Sequence, residues 1–304
     1  MSLSRGYCWQ MSAWADGFIA VDWGTTNRRA YLIESDGKCS AEFEDGLGIL
    51  SVKRGEFESA IGDIRERLGD RPLLLAGMVG SNRGWIEAPY VPCPAGIKEL
   101  TRGLVRIGDD VVIVPGVSLS NGRCDVMRGE EVQLAGAVAS GQVPSDCLVC
   151  HPGTHNKWVE VSGGRIASFR TVMTGEMFSM LKHRSILSEL LTGRAKAGDA
   201  FREGVRKSLP GAGLTAELFE ARASFLLGRL DRADAPSLVS GLLIGEDVRT
   251  GLGTGRASRV IVMGRPQLTS LYAAALEVAG IESERMDGEG AFISGARKIV
   301  ELMQ

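Results

Sequence analysis

The chain has 304 residues and a formal net charge of −2, a balance that removes the electrostatic case for binding nucleic acid or an anionic membrane surface. Apolar residues make up 44% and charged residues 24%, the composition of a globular protein long enough for two domains rather than of a disordered chain. The longest uncharged run, 132–145, is broken by Gly, Ser and Pro and is too short to span a bilayer.

Residues 1–16 have no continuous apolar segment or small-residue cleavage site, so they read as a loose tail and not a signal peptide. The next segment, Phe18 to Glu34, organises the rest. Two apolar, β-branched and aromatic runs, 18–23 and 28–34, flank Gly24-Thr25-Thr26-Asn27, the local signature of a hairpin. Asp22 closes the first strand, where its carboxylate suits Mg²⁺ directly or through water. Gly24 admits a close ligand, and the turn N–H groups with the Thr25 and Thr26 hydroxyls form a donor surface suited to phosphate.

A third strand over 38–44 and an amphipathic helix over 54–68 follow, the helix with Phe57, Ile61, Ile64 and Leu68 on one face. The run 72–79 reads as a buried central strand. It ends in the loop Gly80-Ser81-Asn82-Arg83-Gly84-Trp85, at the carboxyl end of a strand, where open α/β sheets bind ligands. After a strand at 111–114, Asp125 reads as the N-cap of a helix over 125–139 with Arg128, Glu130 and Glu131 in its first turns.

The pattern then recurs. Gly153-Thr154-His155-Asn156-Lys157 matches Gly24-Thr25-Thr26-Asn27-Arg28, again after a short apolar strand (147–150) and before a second strand and a Gly turn. One recurrence half a chain apart indicates two similar domains, bounded near Pro144-Ser145. The expected domains are thus 17–144 and 145–304, the second carrying a helical insert over about 185–250. A strand at 260–264 and a helix opened by Pro266 follow, and a short strand and helix close the chain.

Six cysteines (8, 39, 93, 124, 147 and 150) show no disulfide spacing and point to a reducing cytosol. Cys147 and Cys150 have the spacing of a redox or zinc pair, but inside a strand residues three apart point to opposite faces, so they read as structural. Pro152-Gly153 prevents the helix that would aim His151 and His155 at one metal.

No Walker-type phosphate loop and no Gly-x-Gly-x-x-Gly after a strand is present. The two Gly-Thr hairpins and the strand-Gly at Gly264 before a late helix instead resemble the phosphate-1, phosphate-2 and adenosine motifs of the actin, sugar kinase and Hsp70 superfamily. More closely, 21–27, Ala76 to Trp85, Val126 to Glu131, 152–155 and Phe169 to Glu176 resemble, in order, the 2-dehydro-3-deoxygalactonokinase family over residues from about 17 to the end.

The resemblance implies an α/β fold of two actin-like (ribonuclease H-like) domains and ATP-dependent phosphorylation of the 6-hydroxyl of 2-dehydro-3-deoxy-D-galactonate. ATP and Mg²⁺ are the implied cofactors, and that sugar acid the partner. Asp22 would hold the metal. Gly24, Thr25, Thr26 and Asn27 would face one side of the phosphates, and Gly153, Thr154 and His155 the other. Gly264 would back the adenosine. Two departures stand out: His151 where many superfamily members carry Asp, and Gly264-Arg265-Pro266 where paired glycines are common.

A carboxylate must accept the acceptor's proton. Residue type and helix-start position favour Asp125, with Glu130 the alternative. Ser81, Asn82, Arg83 and Trp85, with Arg128, are the candidates for binding the sugar acid and its carboxylate. A kinase for another sugar acid and an actin-like nucleotide-dependent scaffold are the competing readings. The oligomeric state stays open, a homodimer included, and the expected location is cytoplasmic.

Overall fold

The computed structural model describes residues 14–120, 122–211, 213–253 and 257–303. They form two compact units. The first runs to Asp146 and takes in 161–168 and the C-terminal helix; the second comprises 147–160 and 169–288. Most of the N-terminal tail lies outside the described residues, but Trp14 is buried, its ring 6.1 Å from that of Phe18.

The first unit is built on the sheet β3-β2-β1-β4-β7-β6. The expected opening hairpin is β1 (Gly17–Trp23) and β2 (Arg28–Glu34), antiparallel with Trp23 opposite Arg28 and Asp22 opposite Arg29. β3 (Cys39–Asp45) extends it, and β4 (Leu73–Gly77) and β7 (Val111–Ile113) add in parallel on the other side of β1. β4 is buried throughout, as its unbroken apolar run requires. Helix α1 (Phe57–Leu68) sets Phe57, Ile61, Ile64 and Leu68 against Val21, Trp23, Leu73 and Leu75. Each such side chain contributes about 1.5–3 kcal/mol by burial.

A small sheet, β5 (Tyr90–Pro92), β8 (Gly116–Leu119) and β9 (Asp125–Met127), follows around α2 (Ile97–Arg102) and the edge strand β6 (Val105–Ile107). Helix α3 (Glu130–Ala139) comes next.

The second sheet has the order β12-β11-β10-β13-β14, from β10 (Cys147–His151), β11 (Asn156–Ser162), β12 (Arg165–Val172), β13 (Arg259–Met263) and β14 (Glu282–Met286). Its order repeats β3-β2-β1-β4-β7, the duplication expected from the two hairpins. Helix α4 (Thr174–Arg184) leaves β12, and α5 (Asp199–Ser208), α6 (Leu214–Leu226) and α7 (Ala235–Leu252) make the expected insert. α7 is apolar nearly all round and is buried accordingly. Helix α8 (Pro266–Val278) opens with the expected proline.

The last helix, α9 (Gly288–Met303), belongs to the first unit, unlike the simple division at 144/145. Tyr31 of β2 donates its hydroxyl to Glu289 at 2.6 Å and sits with its ring 5.7 Å from that of Phe292. A chain end is free to return to an earlier sheet, and linear order does not reveal that it has. No described helix is long and apolar enough to cross a membrane.

Candidate active site

The first Gly-Thr turn is fixed from behind. Gly24 N–H donates to Asn27 at 2.9 Å, and the N–H groups of Gly48, Ile49 and Leu50 take the carbonyls of Thr26, Gly24 and Thr25 at 3.1–3.2 Å. With its carbonyls engaged on that side, the turn leaves the N–H groups and hydroxyls of exposed Thr25 and Thr26 for its open side. A Cβ at Gly48 would lie only 2.3–2.4 Å from Thr25 and Thr26 backbone atoms, so this approach requires glycine.

The foot of the hairpin is held by Arg28, fully buried, with Nη2 at 2.8 Å from Asp45 and 2.6 Å from Asp63 and Nη1 at 3.0 Å from the Ala60 carbonyl. Its guanidinium also lies over the rings of Trp23 and Phe43. Asn27 spends its side chain on Glu44, at 2.9 Å. These two positions of the motif therefore anchor the turn within the sheet.

Asp22 is recessed beside this turn. Burial raises its carboxyl to about 6; Arg29 opposes the shift, and Glu130, Glu44 and Glu289 add to it. Gly129 comes close: a Cβ there would stand 4.0 Å from the Asp22 carboxylate and 3.4 Å from Gly77. Gly129 has φ +110°, a region open to glycine, and it caps α3.

This corrects the expected helix start. Asp125 is not a cap. It opens strand β9 opposite Leu119, half-exposed, and its carboxylate accepts the Val126 N–H at 2.8 Å. The helix begins five residues later, because the positive φ at Gly129 makes the sharp turn that a strand needs before it can enter a helix. Glu130, its first residue, accepts the Arg128 N–H at 3.2 Å, and Glu131 accepts the Gly129 N–H at 2.6 Å. Glu131 is completely buried, and burial, reinforced by Glu130, pushes its carboxyl up to about 8.

The loop after β4 turns through a short 3₁₀ segment, Met78–Gly80, and lines a cavity of about 500 Å³ with Ser81, Asn82, Arg83 and Trp85. Trp85 stacks on Phe57 with an interplanar angle of 12°. Arg54 and Glu87 complete the polar lining, and neither was singled out in the sequence. Arg54 precedes an ordinary amphipathic helix, 27 positions before Ser81, and nothing local marks it. Arg128 does not line this cavity. It lies behind the loop, donating to the Ala88 carbonyl at 2.8 Å with its guanidinium 4.4 Å from the Tyr90 ring centroid; its Nε and Nη1 are buried without a hydrogen-bond partner.

In the second unit the turn after β10 carries Gly153 and Thr154, and the start of α4 packs on it. Glu176 N–H donates to the Thr154 carbonyl at 3.0 Å, and a Cβ at Gly175 would meet the Gly153 carbonyl at 2.5 Å. His155 Nε2 is 2.5 Å from the Glu176 carboxylate, so its side chain braces the turn against α4. Gly264 ends β13 close behind Pro152. Gly153 also opens onto a mainly apolar cavity of about 630 Å³, lined by Thr174, Phe178, Leu243, Leu271 and Tyr272, with Lys182, Arg194, Lys196 and Gln267 as polar groups. That volume is in the range of cofactor sites.

None of the five cysteines among the described residues is in a disulfide, and Cys150 is fully buried with its thiol raised by burial; Cys8 lies outside those residues. Among the described residues no group of three or more His, Cys, Asp or Glu side chains is arranged to hold a metal ion.

A family model described as 2-keto-3-deoxy-galactonokinase matches residues 22–299. The chain belongs to that family. It is 36% identical over 290 residues to the 2-dehydro-3-deoxygalactonokinase of Escherichia coli K12, covering 94% of this chain and 98% of the relative. A crystal structure of a candidate 2-dehydro-3-deoxygalactonokinase from Sinorhizobium meliloti superposes with a TM-score of 0.88 at 34% identity, over 93% of this chain and 98% of that one. The protein is thus a carbohydrate kinase by family, with the two-unit fold expected for one. Family membership leaves the scaffold reading without support.

In this kinase the motif residues divide into two groups. Gly24, Thr25, Thr26, Gly153 and Thr154 present backbone and hydroxyl groups, whereas Asn27, Arg28 and His155 hold the turns in place. The recurring Asn-[Arg/Lys] was visible in the sequence, but not that it serves the fold.

Proposed function

We propose that the protein transfers the γ-phosphoryl group of ATP to the 6-hydroxyl of 2-dehydro-3-deoxy-D-galactonate. Family membership carries this reading, and the turn and the cavity found in each unit support it. The turn at Gly24 to Thr26 and the turn at Gly153-Thr154 hold phosphates. The mainly apolar cavity beside Gly153 takes the adenosine, with Lys182, Arg194 and Gln267 as its polar contacts; Gly264 lies outside its lining, against Pro152 ahead of the turn. The cavity under Ser81 to Trp85 takes the sugar acid, and Arg54 and Arg83 supply the charge its carboxylate needs. Arg128, with buried donors to spare, backs that loop and holds its shape.

Mg²⁺ fits at Asp22. A recessed carboxylate whose proton affinity is raised by burial and by neighbouring carboxylates is relieved by a cation, and Mg²⁺ commonly takes one carboxylate with phosphates and water. When bound it neutralises charge on the phosphates. The chain's own residues do the rest. Phosphoryl transfer passes through a loose transition state, so holding donor and acceptor in line matters most.

Glu130 is the base. It stands at the start of α3, one residue after the Gly129 turn that lies against Asp22, and it is close enough to raise the Asp22 carboxyl. It accepts the acceptor hydroxyl's proton as the O–P bond forms. Asp125 lies instead at the start of β9, an edge strand of the small sheet. The cytosol, expected from the cysteine spacing, is where such a kinase acts.

The test is ADP release from ATP in the presence of a panel of sugar acids. Turnover with 2-dehydro-3-deoxy-D-galactonate far above that with its C4 epimer and with aldonic acids is expected. A higher kcat/KM for any other acid overturns the substrate assignment, and no sugar-acid-dependent ADP release overturns the reaction.

A further inference from the structure

Asp247 lies in the middle of α7, away from every motif, and its side chain is completely buried. Both of its oxygens are used. One accepts Asn156 Nδ2 at 2.9 Å and the Trp158 indole N–H at 2.7 Å; the other accepts Asn156 Nδ2 at 3.0 Å, the Thr174 hydroxyl at 2.5 Å and the Tyr272 hydroxyl. Four donors on three elements, β11, α4 and α8, thus converge on one carboxylate carried by a fourth.

Those elements are the ones that shape the second turn and the cavity beside it. Asn156 is the first residue after the Gly153-Thr154-His155 turn. Thr174 is the first residue of α4, whose next two residues pack on that turn. Thr174 and Tyr272 also line the cavity. A buried carboxylate is costly to keep: burial raises the Asp247 carboxyl above its ordinary range, and the hydrogen bonds from Thr174, Tyr272, Trp158 and Asn156 oppose the rise. An apolar residue of similar size would pack α7 without that cost. What the carboxylate adds is direction, since it sets one geometry for four donors at once.

We propose that Asp247 is the positioning residue of the nucleotide side of this kinase, fixing the second phosphate turn, the start of α4 and the Tyr272 wall of the cavity in one arrangement before nucleotide binds. This rests on the reading that this turn and cavity receive ATP.

The experiment measures ADP binding by calorimetry and the KM for ATP and for the sugar acid in the wild type, Asp247→Asn, Tyr272→Phe, Thr174→Val and Thr174→Ser. Circular dichroism checks the fold of each. Asn offers one acceptor and two donors where two acceptors are needed, so Asp247→Asn is expected to weaken ADP binding and raise the ATP KM about tenfold, a charged hydrogen bond's worth. The sugar-acid KM should stay within about twofold.

Thr174→Ser, which keeps the hydroxyl, should bind ADP like the wild type, and Thr174→Val and Tyr272→Phe should each show part of the loss. Should Asp247→Asn not fold, the contrast of Thr174→Val with Thr174→Ser decides. Unchanged ADP binding in the folded variants, or equal losses for ATP and sugar acid, overturns the proposal alone. A wild type that does not bind ADP overturns the nucleotide reading and this proposal with it.

Discussion

Glu131 offers the most quantitative test of the chemistry around α3. It is completely buried, its one hydrogen-bonded oxygen accepts only a backbone N–H, and its carboxyl is held at about 8 against an ordinary 4.5. Above 4.5 the unfolded chain loses a proton that the folded chain keeps. The folded state is therefore least penalised at this residue below pH 4.5. It loses stability as pH rises from there to about 8, and the loss levels off above 8. The gap converts to roughly 5 kcal/mol at the ceiling, at about 1.4 kcal/mol per pH unit.

Glu131→Gln keeps an acceptor for Gly129 and cannot ionise, so it removes this dependence. Urea unfolding of both proteins at pH 5.5 and 8.5 should show the variant gaining on the wild type by roughly 3 kcal/mol across that interval. Parallel stability curves would mean that Glu131 is ionised in the folded protein, and the account of the α3 turn would fail.

Other consequences are equally direct. Glu130→Gln should lower kcat by on the order of a hundredfold or more with little change in melting temperature, whereas Asp125→Asn should stay within about threefold of wild type; steady-state ADP release separates them, and the reverse result restores Asp125 as base. Gly48→Ala forces a Cβ into the backbone of Thr25 and Thr26, so the ATP KM should rise by about tenfold or more while the sugar-acid KM holds; an unchanged ATP KM removes that turn from the phosphate site. Arg28→Met removes the buried one of the two cations, Arg28 and Arg67, that Asp45 and Asp63 share, and should cost about 1.5–3 kcal/mol in chemical denaturation, with a loss under about 0.5 kcal/mol counting against the anchoring role.

The sequence alone determined the strands of the two duplicated sheets, the turns between them and their duplication, but not the edge strand β6 or the small sheet β5-β8-β9, whose last strand it read as the start of a helix. The duplicated strands and turns depend on local pattern: two-residue alternation, unbroken apolar runs, and glycine with hydroxyls at a tight turn. They are written in consecutive residues, and the sheets formed where the pattern placed them. Asp22, the two Gly-Thr turns and the loop after β4 were legible for the same reason, because each sits at a strand end.

Only the tertiary structure decided what lies opposite them. The start of α3 was misplaced by five residues because an Asp before a helical pattern looks like a cap, while the φ of Gly129, set by its packing near Gly77 and Asp22, is not a local property. Arg54, Lys182 and Gln267 reached their cavities from elements with no distinguishing pattern. Asp247 looked like one more charge in a long helical insert. A buried carboxylate takes its meaning from its donors, and Asn156, Trp158, Thr174 and Tyr272 lie 91, 89, 73 and 25 positions away. Folding brings them together because that charge, once buried, is tolerable only where all of them meet it.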